Sequence, residues 1–229
     1  MPTGNSYSKI KHHVSLLAKE TGRNPKDISI IAVSKNFPWE HVSSAYEIGC
    51  KNFGENKIPE ALQKISEAPK DIKWHFLGTL QKNKVRKAVG SFELIHSVDS
   101  LSLAEKISQT AKELKYTAHI LLQVNTSGEA TKHGLAEEEW RKSFQEILAL
   151  PNLSVDGLMT IAPFTHDDVI VRDCFRKLRF FKEELNKTFK PKNKLFHLSM
   201  GMTNDYPIAI QEGATLLRIG SAIFGERPK

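Results

Sequence analysis

The side chain best suited to covalent chemistry in this sequence is Lys35, which ends the apolar run Ile28-Ser-Ile-Ile-Ala-Val-Ser34. A lysine at the exit of a buried strand can keep its amine inside a pocket. Desolvation there penalises the ammonium form, so the pKa falls from roughly 10.4 and a nucleophilic amine becomes available. A Schiff base with a carbonyl compound needs that amine. Two phosphate-loop candidates lie towards the other end of the chain, Ser199-Met-Gly201 and Arg218-Ile-Gly-Ser221. Small residues let backbone N–H groups approach a phosphate, and both serine hydroxyls can donate to its oxygens. A reactive lysine with such a cradle points to pyridoxal 5'-phosphate (PLP).

These residues need elements to bring them together. Short apolar runs alternate with amphipathic segments eight times. The expected strands are Ile28–Ser34, Asn52–Gly54, Trp74–Leu77, Leu94–Val98, His119–Val124, Val155–Met159, Leu195–Ser199 and Leu216–Ile219. Helices are expected over Trp39–Ile48, Ile58–Ile65, Lys82–Val89, Leu101–Leu114, Glu137–Leu148, Val171–Phe189 and Pro207–Gln211. Each carries apolar residues three and four apart, as at Leu178, Phe181 and Leu185. A further helix, about Ser8–Lys19, precedes the first strand. Ser100 is a candidate N-cap, and Pro207 suits a first helical turn.

Near-continuous apolar strands alternating with helices indicate a parallel sheet, and eight of them close naturally into a (β/α)8 barrel. An open doubly wound sheet is the structural alternative, but the first strand–helix connection lacks a GxGxxG fingerprint. No linker or shift of composition divides the chain, so residues 1–229 are expected to form one domain, with loops at Thr126–His133 and Ala162–Asp168. In such barrels functional residues gather at the C-terminal ends of the strands, with phosphate after strands seven and eight. Closure sets strand eight beside strand one, and hence Lys35 near Arg218, Gly220 and Ser221. Taken singly, each has a plainer reading. A strand-end lysine usually reaches solvent, Arg218 could be an ion-pair partner, and His75 and His197 suit hydrogen-bonded core positions.

Composition narrows the classes. The 229 residues are 40% hydrophobic and 26% charged, enough for one sizeable core in a water-soluble chain. No apolar stretch is long enough to span a bilayer, and the N-terminus leads into a charged segment rather than a signal core. The two cysteines, Cys50 and Cys174, are too few for a disulfide framework or a zinc cluster, which suits a reducing cytosol. No metal site is expected. The formal charge of +7 invites a nucleic-acid reading. Yet the densest basic stretch, Lys82-Asn-Lys-Val-Arg-Lys87, has no interleaved aromatics, so no specific nucleic acid is expected.

A chain of strings carries a resemblance beyond this reasoning: Ala-Val-Ser-Lys35, Phe-Gly-Glu-Asn56, Trp-His-Phe-Leu-Gly78, Leu-Gln-Lys-Asn-Lys84, His-Ser-Val-Asp99, Gln-Val-Asn125, Gly-Leu-Met-Thr160, Leu-Ser-Met-Gly-Met202 and Arg-Ile-Gly-Ser-Ala-Ile-Phe-Gly225. Their order and spacing, over about residues 28–227, resemble the pyridoxal phosphate homeostasis protein family. The resemblance implies a barrel like the N-terminal domain of alanine racemase, with PLP as an internal aldimine on Lys35. It implies phosphate contacts from Ser199, Met200, Gly220 and Ser221, with Arg218 facing the pyridine nitrogen. Asn56 and His75 resemble the family's pocket-lining positions. Asn36, Lys82, Ser221 and the pair Thr203-Asn204 depart from the usual pattern, the last at the pocket rim.

An arginine at the ring nitrogen bears on turnover. A permanent guanidinium disfavours pyridine protonation and weakens the electron sink of most PLP enzymes. Racemisation also needs bases on both faces of the substrate carbon, and Lys35 supplies one. In the racemases the resemblance brings in, the second is a tyrosine from an added domain. This chain is expected to stop before one, leaving Tyr206 as the only tyrosine near a site loop. The expectation is a cytoplasmic, monomeric PLP carrier with no catalytic residue, passing its cofactor to PLP-dependent apo-enzymes. The alternatives are a weakly active amino-acid racemase, a phosphosugar-binding barrel without PLP, or a basic RNA-associated protein.

Overall fold

The computed structural model describes residues 2–128 and 133–225, so residues 129–132 of the expected Thr126–His133 loop lie outside the described residues. Eight parallel strands close into a barrel in chain order. They are β1 (Ser29–Val33), β2 (Asn52–Glu55), β3 (Lys73–Phe76), β4 (Leu94–Val98), β5 (Ala118–Gln123), β6 (Leu153–Met159), β7 (His197–Ser199) and β8 (Leu216–Ile219). The helices begin with α1 (Pro2–Glu20), α2 (Trp39–Glu47), α3 (Ile58–Glu67) and α4 (Val85–Ala88). They continue with α5 (Leu101–Glu113), α6 (Glu137–Leu148), α7 (Asp168–Phe189), α8 (Tyr206–Gln211) and α9 (Ser221–Phe224). The expected (β/α)8 architecture, with its extra N-terminal helix, is the observed one.

Burial on both faces explains the unbroken apolar strands. β4 is buried at all five positions. Alternation then sorts its side chains between two cores. Ile31, Leu94, Leu121, Met159 and Leu216 form one apolar cluster, in the lumen. Ile30, Ile95, Ile120, Leu158 and Leu217 belong to the larger cluster that the helices cover. Where the lumen is not apolar, it is lined by the polar groups of the candidate site.

Caps and short-range chemistry move several helix ends. The Ser100 hydroxyl accepts the Leu103 N–H at 3.3 Å, as expected of an N-cap. Asp167 does the same for α7, accepting the Val169 N–H at 2.9 Å, so this helix starts at Asp168, inside the expected loop. The expected Lys82–Val89 helix divides into a 3-10 turn at Lys82–Lys84 and the single turn of α4. Helix α1 starts at Pro2 rather than Ser8 and packs against α2, α8 and α9. No helix among the described residues is long and apolar enough to cross a membrane.

Closure is what assembles the site. β8 pairs with β1 so that Ser29 faces Leu216, Ile31 faces Arg218 and Ala32 faces Ile219. Gly220, the residue after β8, lies against the exit of β1, where a Cβ added to it would stand 3.5 Å from the Val33 carbonyl oxygen.

Candidate functional site

Lys35 lies two residues beyond β1, half-buried, in the turn that leads to α2. The register of β1 on β8 sets this turn beside Gly220 and Ser221, which open α9, and Arg218 lies two residues inside the barrel from Gly220. Four of the residues singled out in the sequence therefore meet at one seam. Thr203 joins the two phosphate-loop candidates. Its hydroxyl oxygen accepts from the Ser221 hydroxyl at 3.2 Å and from the Ala222 N–H at 3.3 Å. The rim position where the sequence departs from the usual pattern is thus the link between the β7 and β8 loops.

Arg218 is 5% exposed and donates to the Ser199 hydroxyl at 2.7 Å and the Thr160 carbonyl at 2.9 Å. Among the described residues, no carboxylate lies within ion-pair distance of its guanidinium. Burial pushes its pKa down to about 10, opposed in part by the charge of Asp205. A guanidinium this deep and without a counter-ion is a donor set waiting for an acceptor that need not be charged.

Ser199 is fully buried, and its hydroxyl lies 2.8 Å from His96 Nδ1. The chain of contacts continues from His96 Nε2 to His75 Nδ1 at 3.0 Å, and from His75 Nε2 to Asn52 Oδ1 at 3.1 Å. The two ends assign the protons between them. The Asn52 carbonyl oxygen can only accept, so His75 donates to it from Nε2 and, as a neutral ring, accepts at Nδ1 from His96 Nε2. His96 Nδ1 then accepts the Ser199 hydroxyl proton, and the Ser199 oxygen accepts from Arg218, which can only donate. Both imidazoles are neutral in this arrangement. Burial, then the nearby His197, holds the pKa of His75 down at about 3, while burial and His75 hold His96 well below its ordinary range.

The sequence-predicted residues therefore separate into two groups. Lys35, Arg218, Gly220 and Ser221 stand at the β1–β8 seam. His75 and Ser199 lie in the lumen as links in a chain that ends on Arg218. The amide of Met200 donates to the Leu216 carbonyl at 3.2 Å and its side chain packs in the outer core, so it fixes the turn before Gly201. Asn56 is half-buried after β2 and lines a cavity of about 220 Å³ with Thr79, Gln81 and Lys84. Tyr206 turns its hydroxyl to His13 of α1, at 2.5 Å, on the outer side of the barrel.

Comparison with known proteins agrees with this geometry. The alanine racemase N-terminal domain family matches residues 6–228. A pyridoxal phosphate homeostasis protein of Aquifex aeolicus is 40% identical over 222 residues, covering 96% of each chain. The chain belongs to the pyridoxal phosphate homeostasis protein family. A solved structure of PipY from Synechococcus elongatus, with PLP bound, superposes with a TM-score of 0.82 at 38% identity, covering 93% of this chain and 99% of that one. Alanine racemase of Clostridium difficile shares the fold, with a TM-score of 0.76 at 17% identity, this chain spanning 58% of its length.

The residues of this homeostasis-family barrel fit PLP as a ligand. A buried guanidinium without a carboxylate partner among the described residues suits an uncharged ring nitrogen, and the turn bearing a lysine lies beside small residues that open a helix. Reading the sequence missed the parts that hold these groups. His96, Asn52 and Thr160 reach Arg218 only through contacts between distant strands. Nor did the reading find Glu55, Glu60 and Lys64, which surround the residues on either side of Lys35. The signal available was Lys64 itself, a charged residue on the same face of α3 as the buried Ile58 and Ala61.

Proposed function

We propose that this chain binds PLP covalently through the Lys35 amine and serves in its homeostasis, holding the cofactor and releasing it to apo-enzymes without sustained turnover. The reading is supported above all by one observation: the β1–β8 register sets the turn bearing Lys35 beside a buried arginine that has no carboxylate partner among the described residues. When bound, PLP supplies an aldehyde for amines to capture and a ring that withdraws electrons. Lys35 would hold the aldehyde carbon, Arg218 would donate to the ring nitrogen, and the Gly220–Ser221 turn would take the phosphate, while Ser199, engaged by Arg218 and His96, and Met200, whose amide is engaged by Leu216, would support the site from behind. Asn56 would border the ring. His75 would act at one remove, keeping His96 and Ser199 oriented on Arg218.

The same arginine argues for a carrier. A guanidinium that donates to the ring nitrogen keeps that nitrogen unprotonated, and the ring then stabilises carbanions poorly. Tyr206, the tyrosine nearest a site loop in sequence, has its hydroxyl engaged by His13 and offers no base opposite Lys35. The family membership supports the homeostasis role, and we take the unit to be a single domain acting as a monomer in the cytoplasm.

The test is an absorbance spectrum of the protein loaded with PLP, before and after borohydride reduction, with peptide mapping of the modified lysine. Lys35 should carry the label, and Lys35→Ala should lose it while keeping its fold. Trapping at another lysine of the wild type would refute the assignment. Multiple-turnover exchange of an amino acid's α-hydrogen in deuterated solvent, lost in Lys35→Ala, would replace the carrier with a racemase.

A further inference from the structure

The turn that carries Lys35 is pinned on both sides by a buried charge cluster. Lys64, 3% exposed on the inner face of α3, donates to three acceptors. They are the Ser34 carbonyl at 2.7 Å, Glu55 Oε1 at 2.6 Å and Glu60 Oε1 at 2.9 Å. An ammonium has three protons, so its capacity is filled. The Ser34 hydroxyl donates to Glu55 Oε1 at 2.5 Å. On the other side, the Asn36 N–H donates to Glu60 Oε1 at 2.5 Å. Asn36 itself has a φ of 68°, in the left-handed region that asparagine tolerates better than most side chains.

Stability alone does not account for this arrangement. A buried ion pair is often no better than well-packed hydrophobic residues of the same volume. Here the balance is poorer still, because Glu55 Oε2 is buried with no hydrogen-bond partner among the described residues. What the cluster does accomplish is specific. It fixes residue 34 through its side chain and carbonyl and residue 36 through its amide, leaving residue 35 between two anchored neighbours in a turn that is otherwise loop.

We infer that Glu60 and Lys64 are positioning residues that tether the Ser34–Lys35–Asn36 turn from α3 and so set where the Lys35 amine stands. The inference deepens the reading of Lys35 as the PLP attachment point and rests on it for its functional meaning. The tether itself can be measured in cofactor-free protein.

The test compares wild type with Glu60→Ala, Glu60→Gln and Lys64→Met. Glu60 is 24% exposed, so its alanine variant can fold even if Lys64→Met does not. In cofactor-free protein, Glu60→Ala should speed amide hydrogen exchange at Asn36 at least tenfold, with the strand amides unchanged. It should also change the acetic anhydride labelling rate of Lys35, relative to exposed lysines, by fivefold or more. After addition of PLP, the borohydride-trapped adduct at Lys35 should fall severalfold. Glu60→Gln keeps a carbonyl acceptor for Asn36 and should restore all three towards wild type. Wild-type exchange at Asn36 in Glu60→Ala would overturn the tether. So would faster exchange there with unchanged Lys35 labelling, since the turn would then move without consequence for the amine. If wild type forms no adduct at Lys35 while Glu60→Ala still alters both cofactor-free readouts, the tether stands and the proposed attachment point fails.

Discussion

Replacing Arg218 by methionine sets two opposing terms against each other, and the structure says how they compare. The fall of the Arg218 pKa from its ordinary value to about 10 corresponds to roughly 3 kcal/mol against the charged form. Methionine removes that penalty and can fill much of the same volume. The loss is two hydrogen bonds, to the Ser199 hydroxyl and the Thr160 carbonyl. Leaving two buried acceptors short of a donor costs about 1–3 kcal/mol each, roughly 2–6 kcal/mol for the pair. The terms largely offset. Cofactor-free Arg218→Met should therefore lie between about 1 kcal/mol more stable and about 3 kcal/mol less stable than wild type, against the 3–5 kcal/mol lost when one member of a buried ion pair is removed. Urea denaturation followed by the fluorescence of Trp39, Trp74 and Trp140 measures the difference directly. Retention of PLP by the same variant should drop at least tenfold. Destabilisation of the cofactor-free variant by more than about 3 kcal/mol would refute the view that this charge is kept for its ligand rather than for the fold.

Three further outcomes are expected. His75 and His96 are held neutral by burial while they would titrate normally in the unfolded chain, so the unfolded state binds more protons below about pH 6.5, for His75 down to about pH 3. Stability should be flat above pH 7 and fall as pH drops through that window, by about 1.4 kcal/mol per pH unit per histidine, and His75→Gln should flatten the fall. Gly78→Ala would place a Cβ 2.1 Å from the Asn56 carbonyl oxygen, a clash with backbone that should lower the thermal midpoint by several degrees in a differential scan. Equilibrium dialysis should find pyridoxal bound at least tenfold more weakly than PLP, and equal retention of the two would contradict an anion site at Gly220 and Ser221.

How much of this was legible beforehand depended on whether the cause was local. β4 and β8 have the bounds expected from their apolar runs, and the first strand differs by one residue at each end. Closure into a barrel then implied that Lys35 and Arg218 meet, because strand order alone brings the first and last strands together. The misplaced helix ends have short-range reasons that a periodicity reading passes over, such as the Asp167 cap that starts α7 early. Reading the polar interior from sequence failed for a different reason. Whether Ser199 points at a phosphate or at Arg218, and whether His75 lines a pocket or supports His96, depends on side chains of four strands converging in the lumen. Lys64 shares a face of α3 with Ile58 and Ala61, which hints at burial, but its partners on β2 and in the turn after β1 follow only from the packing.

The pairing of β1 with β8 also carries a consequence for the order of events during synthesis. Residue 29 finds its partner at residue 216, so the seam is among the longest-range contacts in the chain. Such contacts form late, after the entropy of closing the intervening loop has been met. A ribosome releases Lys35 long before it has made Arg218 or Ser221. During that interval the lysine is an ordinary amine with no cradle beside it, and on the proposed attachment a nascent or truncated chain would have no means of retaining the cofactor. Competence to sequester a reactive aldehyde therefore arrives all at once with the last strand, and a fragment ending before residue 216 should leave the free PLP pool untouched.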